Sequence, residues 1–356
     1  MWTDMEFYRN KRVLVTGHTG FKGAWMCQVL YMAGADVYGY ALASPTSPSL
    51  YELCHLSKHM NSVIGDIRDL DHLKKTFVEI QPEIVIHMAA QPLVRESYRN
   101  PVYTYETNVM GTVNVMECAR LTPAVRSIVN VTTDKVYRNR EWEWGYRESD
   151  ELDGYDPYSN SKSCSELVTS AYKNSFFADR DIAVSTARAG NVIGGGDFAA
   201  ERIIPDCIRA AMRSEDILVR NPSSVRPYQH VLEPVLGYLM IAKFQYENAA
   251  YAGSYNIGPN DADCITTSRL VTLFCDAWNS RTGNKLGWID KYDGGPHEAD
   301  YLKLDCSKLI KTFGWHPRWH VDKAVDMVAD WQYRYAVLGE DAGEIMQNQI
   351  NCFESW

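Results

Sequence analysis

Apolar runs and helical patterns alternate along the first half of the chain. The strand-like runs are Arg12–Thr16, Val37–Leu42, Ser62–Gly65, Ile84–His87, Ile128–Val131 and Ile182–Ala187. Between them, helical spacing appears around Asp69–Ile80, Pro101–Leu121 and Tyr158–Phe177. Runs that are apolar throughout belong to strands buried on both faces. Joined by helices, they predict a parallel sheet covered on both sides. Right-handed crossovers make this a doubly wound α/β sheet, with ligands at the carboxyl ends of the strands. Past Ala187 the alternation weakens. Gly194-Gly195-Gly196-Asp197 and Asn221-Pro222 mark loops, and shorter helices are expected near Ile203–Arg213, Val231–Tyr246, Ser268–Trp278 and Val321–Tyr335. The expected division is a doubly wound unit over 1–188 and a smaller α/β unit over 189–356, lying across the strand ends. The segment at about 230–258 is a candidate to return to the first unit. There is no internal repeat and no low-complexity tract.

Bulk properties narrow the function. The chain has 356 residues, enough for two units, and a formal net charge of -9, which argues against a broad nucleic-acid surface. No apolar run is long enough to span a bilayer. The start, Met1-Trp2-Thr3-Asp4-Met5-Glu6, is acidic and unlike a signal peptide. Nine scattered cysteines with no C-x-x-C pair argue for reduced thiols in a cytoplasm, and against a disulfide scaffold or a zinc site.

The first run ends in Gly17-His18-Thr19-Gly20-Phe21-Lys22-Gly23, a G-x-x-G-x-x-G turn that opens directly into a helical pattern. Strand, glycine turn and helix form the dinucleotide-binding start of a Rossmann unit. Glycines accept positive φ and let a pyrophosphate approach, and the helix start offers N–H groups and a positive dipole end. The turn therefore marks Gly17, Thr19, Gly20, Phe21 and Gly23 as candidate cofactor contacts. A ribose-binding acid is expected about 20 residues on. Asp36 falls there, but it opens the second strand instead of closing it. The strand ends in Ala41-Leu42-Ala43-Ser44-Pro45, without acid or arginine, which leaves NAD and NADP open on this feature. Asp66-Ile67 ends the third strand, where an adenine edge would lie; a turn-forming aspartate reads equally well. The fourth strand ends in His87-Met88-Ala89-Ala90-Gln91, whose small residues admit a dinucleotide or a close helix contact.

The chemistry centres on Tyr158-Ser159-Asn160-Ser161-Lys162. Of the 22 tyrosines, only Tyr158 has a lysine four residues on. Pro157 suits a helix start, and residues four apart share a helix face. A phenol with a pKa of about 10 is a poor base at neutral pH, and a cation held beside it favours the phenolate. An accidental spacing on a solvated helix is the plain alternative. The fifth strand runs into Thr132-Thr133-Asp134-Lys135, which places Thr133, Asp134 and Lys135 at the sheet's carboxyl edge. Thr133 there bonds a substrate oxygen or caps the strand end. Asp134-Lys135 reads as an acid/base pair or as an exposed turn pair.

Four motifs then follow in order: Gly17-x-x-Gly20-x-x-Gly23, Asn108-Val109-Met110-Gly111, Tyr158-x-x-x-Lys162 and Arg188-Ala189-Gly190-Asn191-Val192-Ile193-Gly194. Together they resemble the extended short-chain dehydrogenase/reductases that act on nucleotide sugars, over most of the chain. Within that family, Thr133-Asp134-Lys135 resembles the Thr-Asp-Glu of the 4,6-dehydratases. With Ala90-Gln91-Pro92-Leu93-Val94 and the glycine turn, the resemblance is to the branch acting on CDP-glucose. The cytidine base is implied by the resemblance alone. The resemblance implies a tightly bound NAD regenerated each turnover and a hydro-lyase reaction that starts deoxysugar synthesis. It implies Tyr158, Thr133 and Lys162 acting at the sugar C4 hydroxyl, and Asp134 as the acid for the departing C6 hydroxyl. Lys135 departs from the family's glutamate. As the C5 base it needs a lowered pKa, which burial beside Lys162 and an oxidised nicotinamide would give. Asn191, Arg226 and a late-loop residue, His297, are the implied substrate contacts, while Asn108 serves as a helix anchor or a proton relay. The helices Pro101–Leu121 and Tyr158–Phe177 resemble the family's dimerisation pair, implying a homodimer or homotetramer; Val109, Val113 and Val115 read equally as core. The competing readings are a nucleotide-sugar 4-epimerase, a dehydratase of dTDP-, UDP- or GDP-sugars, and a non-enzymatic dinucleotide sensor.

Overall fold

The apolar runs become the strands of one parallel sheet in the computed structural model, which describes residues 5–291 and 300–355. The strands are β1 (Arg12–Thr16), β2 (Asp36–Ala41), β3 (Asn61–Ile64), β4 (Ile84–His87), β5 (Ser127–Thr133), β6 (Ala183–Ala189) and β7 (Ser254–Ile257), in the order β7-β6-β5-β4-β1-β2-β3. The order reverses between β1 and β4, where Thr16 pairs with His87. That switch point is where a doubly wound sheet opens a crevice. Asp36 is the first residue of β2 and accepts a hydrogen bond from Tyr38 Oη at 2.9 Å, far from the strand's carboxyl end.

Burial on both sides explains the continuous apolar runs. Val13 and Val15 of β1 face a core built with helix α1 (Phe21–Met32). Leu14, between them, faces the opposite core, built with α2 (Leu70–Ile80) and α3 (Gly111–Leu121). α4 (Pro157–Tyr172) packs beside α3 on this second side. After β6 the chain leaves the sheet for α5 (Ile203–Arg213), then returns through α6 (Leu232–Glu247), which packs on β5 and β6 beside α1, and through the edge strand β7. A third core joins α5 with α7 (Thr267–Thr282) and α8 (Val321–Ala336) through Ile204, Phe274, Trp278, Val325 and Val328.

Two helices differ from the expected continuous ones. Pro101–Leu121 is interrupted by a π turn at Glu106–Met110, and α4 ends in another at Lys173–Phe177. Wide turns of this kind occur at functional sites. Val115 is core, while Val102, Met110, Leu167 and Phe176 are exposed on these same segments. Among the described residues, no helix is long and apolar enough to cross a membrane.

Candidate active site

The glycine turn is as tight as its sequence requires. Gly17 takes φ of +79°, and a Cβ there would lie 2.8 Å from the Ala89 amide nitrogen. A Cβ on Gly23 would lie 2.1 Å from the Gly17 carbonyl. Only hydrogen fits at either position, so the turn and the Ala89–Gln91 loop form a bare backbone cradle that suits a dinucleotide. Gly20 precedes α1, and its N–H donates to the Gly17 carbonyl at 3.1 Å. Thr19 is buried and donates to the Leu42 carbonyl at 2.9 Å, tying the turn to the end of β2. The ring of Phe21 reaches across to Gly194. At the end of β3, Asp66 folds its carboxylate onto Arg68 at 2.7 Å. Burial pushes this acid up, but the bonds from Arg68 outweigh it and hold it below the usual range. Ile67 packs against Gly111, and its carbonyl accepts from Asn114.

Asn108 acts as an anchor. Its Oδ1 accepts from Gln91 N–H at 2.8 Å, while its Nδ2 donates to the Gln91 carbonyl and to Ser161 Oγ. Its own carbonyl accepts from Thr112. With every group engaged inside the protein, the side chain and carbonyl serve structure.

The helix that carries Tyr158 and Lys162 begins where its sequence says. Asp156 caps it by accepting from Ser159 N–H at 3.0 Å, and Pro157 takes the first turn. One turn in, Lys162 is buried, with Nζ 3.0 Å from the Val131 carbonyl. Burial, aided by the charge of Lys22, pulls Lys162 down from 10.5 to about 7, against the opposing carboxylate of Glu166. Tyr158 is pushed up to about 12, chiefly by burial. The Thr133 hydroxyl bonds the phenol and lowers it, Asp134 raises it, and Arg202 lowers it. Thr133 Oγ1 also lies 2.9 Å from Asp134 Oδ1, so its single proton stands between phenol and carboxylate.

Asp134 is fully buried. Its Oδ1 lies 3.5 Å from Lys135 Nζ, and its Oδ2 has no hydrogen-bond partner among the described residues. A buried carboxylate oxygen left bare costs free energy unless something else meets it. Lys135 itself is half-buried. Across the cleft, a Cβ on Gly190 would lie 2.6 Å from Pro227 Cγ and 3.3 Å from Asp134 Oδ2. This close contact brings the Val225–Pro227 strand, with the buried Arg226, beside Asp134. Arg226 donates to the Val225 carbonyl at 3.0 Å. Asn191 presents a second buried oxygen, Oδ1, without a partner among the described residues. His297 lies outside the described residues.

Two cations escaped the sequence reading. Lys22 sits inside the glycine turn. Burial and the charges of Arg202 and Lys135 pull it to about 8, with Asp134 opposing. Arg202 stands just before α5, where it pairs with Asp197 at 2.9 Å. Lys22 carried a signal, as a lysine within an otherwise small or apolar turn. Arg202 carried none, since only the fold brings it to the phenol. Among the described residues, no cluster of three or more His, Cys, Asp or Glu is placed to hold a metal ion.

Comparison with known proteins agrees with this geometry. The sequence model of the GDP-mannose 4,6 dehydratase family matches residues 14–328. The CDP-glucose 4,6-dehydratase of Salmonella typhimurium is 48% identical over 99% of this chain and 98% of its own length. Among solved structures, the dTDP-glucose 4,6-dehydratase of Bacillus anthracis, in complex with NAD, aligns with a TM-score of 0.74 at 19% identity, over 92% of this chain and 97% of that one. The UDP-glucose 4-epimerase of Thermotoga maritima aligns with a TM-score of 0.78 at 21% identity, over 92% and 99%. At those identities the structures speak for the fold, and the sequence matches speak for descent: the chain belongs to the GDP-mannose 4,6 dehydratase family, within the extended short-chain dehydrogenase/reductases.

Proposed function

We propose that this protein is an NAD-dependent hydro-lyase that converts CDP-glucose to CDP-4-keto-6-deoxyglucose, a first step toward deoxysugars. The observation that carries the reading is Asp134. A 4-epimerase needs the tyrosine, the lysine and the hydroxyl at Thr133, but it has no use for a buried acid beside an amine at the end of β5. The base and sugar are those of the Salmonella relative at 48% identity. NAD, when bound in the glycine cradle, supplies acceptance of hydride from C4 and its return to C6, together with a positive ring charge beside the phenol.

The chain's own residues handle the protons. Tyr158, as the phenolate favoured by the Thr133 hydroxyl, takes the C4 hydroxyl proton and becomes a neutral phenol. The ketone at C4 acidifies C5. Lys135, as the free amine, removes the C5 proton, while protonated Asp134 donates to the C6 hydroxyl, which leaves as water. The amine is then charged and the acid ionised. The amine returns its proton to C5 as hydride arrives at C6, and the C4 proton held by Tyr158 passes through the Thr133 hydroxyl to Asp134, which restores all three groups. Asn191 and Arg226 hold the nucleotide diphosphate side of the substrate, and His297 supplies one substrate contact. Gly17, Thr19, Gly20, Phe21, Gly23, Asp66, Ile67, Ala89, Ala90, Gln91 and Asn108 line or support the cofactor. In this reading residues 1–188 with about 230–258 form the cofactor unit, and the rest reads the substrate. The enzyme is cytoplasmic, and it assembles as a dimer or tetramer through the exposed apolar residues on Pro101–Leu121 and α4. Light scattering of the purified protein tests that assembly.

The test of function is incubation with CDP-, UDP- and dTDP-glucose in turn, with NAD supplied. Loss of one water from CDP-glucose is the expected result. Unchanged mass with an inverted C4 centre would replace this reading with an epimerase, and dehydration of another nucleotide sugar would move the base preference.

A further inference from the structure

The catalytic helix meets the protein interior through an unusual surface. The buried residues of α4 are Ser159, Ser161, Lys162, Ser163, Ser165, Glu166 and Thr169, with no large apolar side chain among them. Its seat is made of hydrogen bonds, and one chain of them leads back to the glycine turn through His87.

The direction of that chain follows from counting lone pairs and protons. Thr16 Oγ1, at the end of β1, accepts the N–H groups of Met88 and Ala89, both at 3.1 Å. With both lone pairs used, its proton goes to His87 Nδ1 at 2.7 Å. His87 therefore carries its proton on Nε2 and donates to Thr112 Oγ1 at 3.2 Å. Thr112 gives its own proton to the Asn108 carbonyl at 2.7 Å and accepts from Ser165 Oγ at 3.0 Å. Ser165 accepts in turn from Asn130 at 3.0 Å. Asn108 donates to Ser161 at 2.9 Å, and Ser161 donates to the Tyr158 carbonyl at 2.7 Å. His87, Thr112, Asn130 and Ser165 are 1% exposed or less. Ser161 and Ser165 lie four residues apart and flank Lys162, so the helix is pinned on both sides of its lysine.

Hydrophobic contacts are non-directional and let a helix slide, whereas a connected, directional chain of buried hydrogen bonds favours one arrangement. We propose that His87 is a positioning residue that couples the cofactor cradle to the catalytic helix, setting the depth of Tyr158 and Lys162 relative to the glycine turn. Its Nδ1 side holds Thr16 and, through Thr16, the Met88–Ala89 backbone against Gly17. Its Nε2 side holds α4. Burial and the charge of Lys162 push His87 down to about 3, so it keeps this neutral form throughout the working range. The inference rests on the cofactor reading of the glycine turn, and NAD affinity tests it independently of the sugar reaction.

The experiment compares Thr16→Val, Thr112→Val, the double variant and His87→Asn. Each is measured for NAD affinity by calorimetry, for kcat and sugar KM, and for melting temperature. Asparagine can still accept from Thr16 but is too short to reach Thr112. His87→Asn and Thr112→Val should lower kcat about tenfold, with NAD Kd and sugar KM within about twofold of wild type. Thr16→Val should raise NAD Kd about tenfold. The double variant should be no slower than its slower parent, because the chain acts as one unit. Folded variants with kcat and NAD Kd both unchanged would overturn the proposal, as would losses that multiply in the double variant. If none of the sugars is converted by wild type, the proposed reaction fails, while the NAD shift with Thr16→Val still decides the cradle half of the inference.

Discussion

Replacing Lys162 with methionine should make the protein more stable and inactive. Lys162 is 4% exposed, and its one hydrogen bond among the described residues goes to the Val131 carbonyl. Its pKa falls from 10.5 to about 7 on folding. At about 1.4 kcal/mol for each tenfold change, holding a charged lysine there at pH 7 costs ~4 kcal/mol. Methionine fills nearly the same space without a charge, but it leaves the Val131 carbonyl without that donor, at a cost of about 1–3 kcal/mol. The net expectation at pH 7 is a gain of about 2 kcal/mol. The sign depends on pH in a way that packing alone would not produce. Between about 7 and 10.5 the unfolded chain binds a proton that the folded site refuses, so wild-type stability climbs with pH through that window. The variant lacks this climb. Denaturant unfolding of both proteins at pH 7 and pH 10 should show the variant ahead at pH 7, and level or behind at pH 10. A variant less stable at pH 7, or a gap that stays constant across pH, would refute the account of Lys162 as a strained charge. Wild-type turnover by the variant would remove Lys162 from the site.

Three further outcomes follow from the same geometry. Lys135→Ala should lower turnover at least about a hundredfold and abolish exchange of the sugar C5 hydrogen with deuterated solvent; near-normal exchange and turnover would assign the base elsewhere. Glu233 is buried, and Oε1 accepts the N–H groups of Arg318 and Trp319, while burial lifts its pKa from 4.5 to about 7. It therefore withdraws stability as pH rises from about 4.5 through 7, and Glu233→Gln, which keeps both bonds, should melt higher than wild type at pH 8 but not at pH 4.5. Equal melting points at pH 8 would reject that. Gly190→Ala should cut kcat about tenfold or more by forcing Pro227 and Asp134 apart, with the fold retained by circular dichroism; unchanged kcat would mean that the contact yields without consequence.

The centre of the sheet was legible because β1, β4, β5 and β6 are buried on both faces, which favours apolar runs between the helical patterns. The edge strand Ser254–Ile257 was harder to see: four residues of mixed polarity, with strand β6 on one side only. The seven-residue helix Ser307–Phe313 and the last helix, Ala342–Ser355, were not foreseen. The π turn at Glu106–Met110 leaves no mark on the spacing of a helix that continues beyond it. In the site, Tyr158, Lys162, Thr133 and Asp134 were readable from local spacing and strand-end position. The charges acting on them were not. Arg202 is 44 residues from Tyr158 in the chain and meets it only through the fold. The upward push on the phenol is a matter of burial, which no spacing records. Nor did the sequence reveal that Asn108 would have every group occupied.

The serine surface of α4 bears on how this enzyme can change. A helix mounted on apolar side chains can be re-seated by trading one hydrophobe for another. One mounted on four serines, a threonine, a lysine and a glutamate has less latitude, because each replacement of a bonded side chain removes a bond or crowds the seat. On the proposed substrate reading, variation in the sugar or base accepted falls on the other wall, the stretch from Asn191 to Pro227, which meets the Tyr158 side through Pro227 against Gly190 and through Arg202. Selection for a new substrate should collect its substitutions there and leave the buried residues of Pro157–Tyr172 untouched.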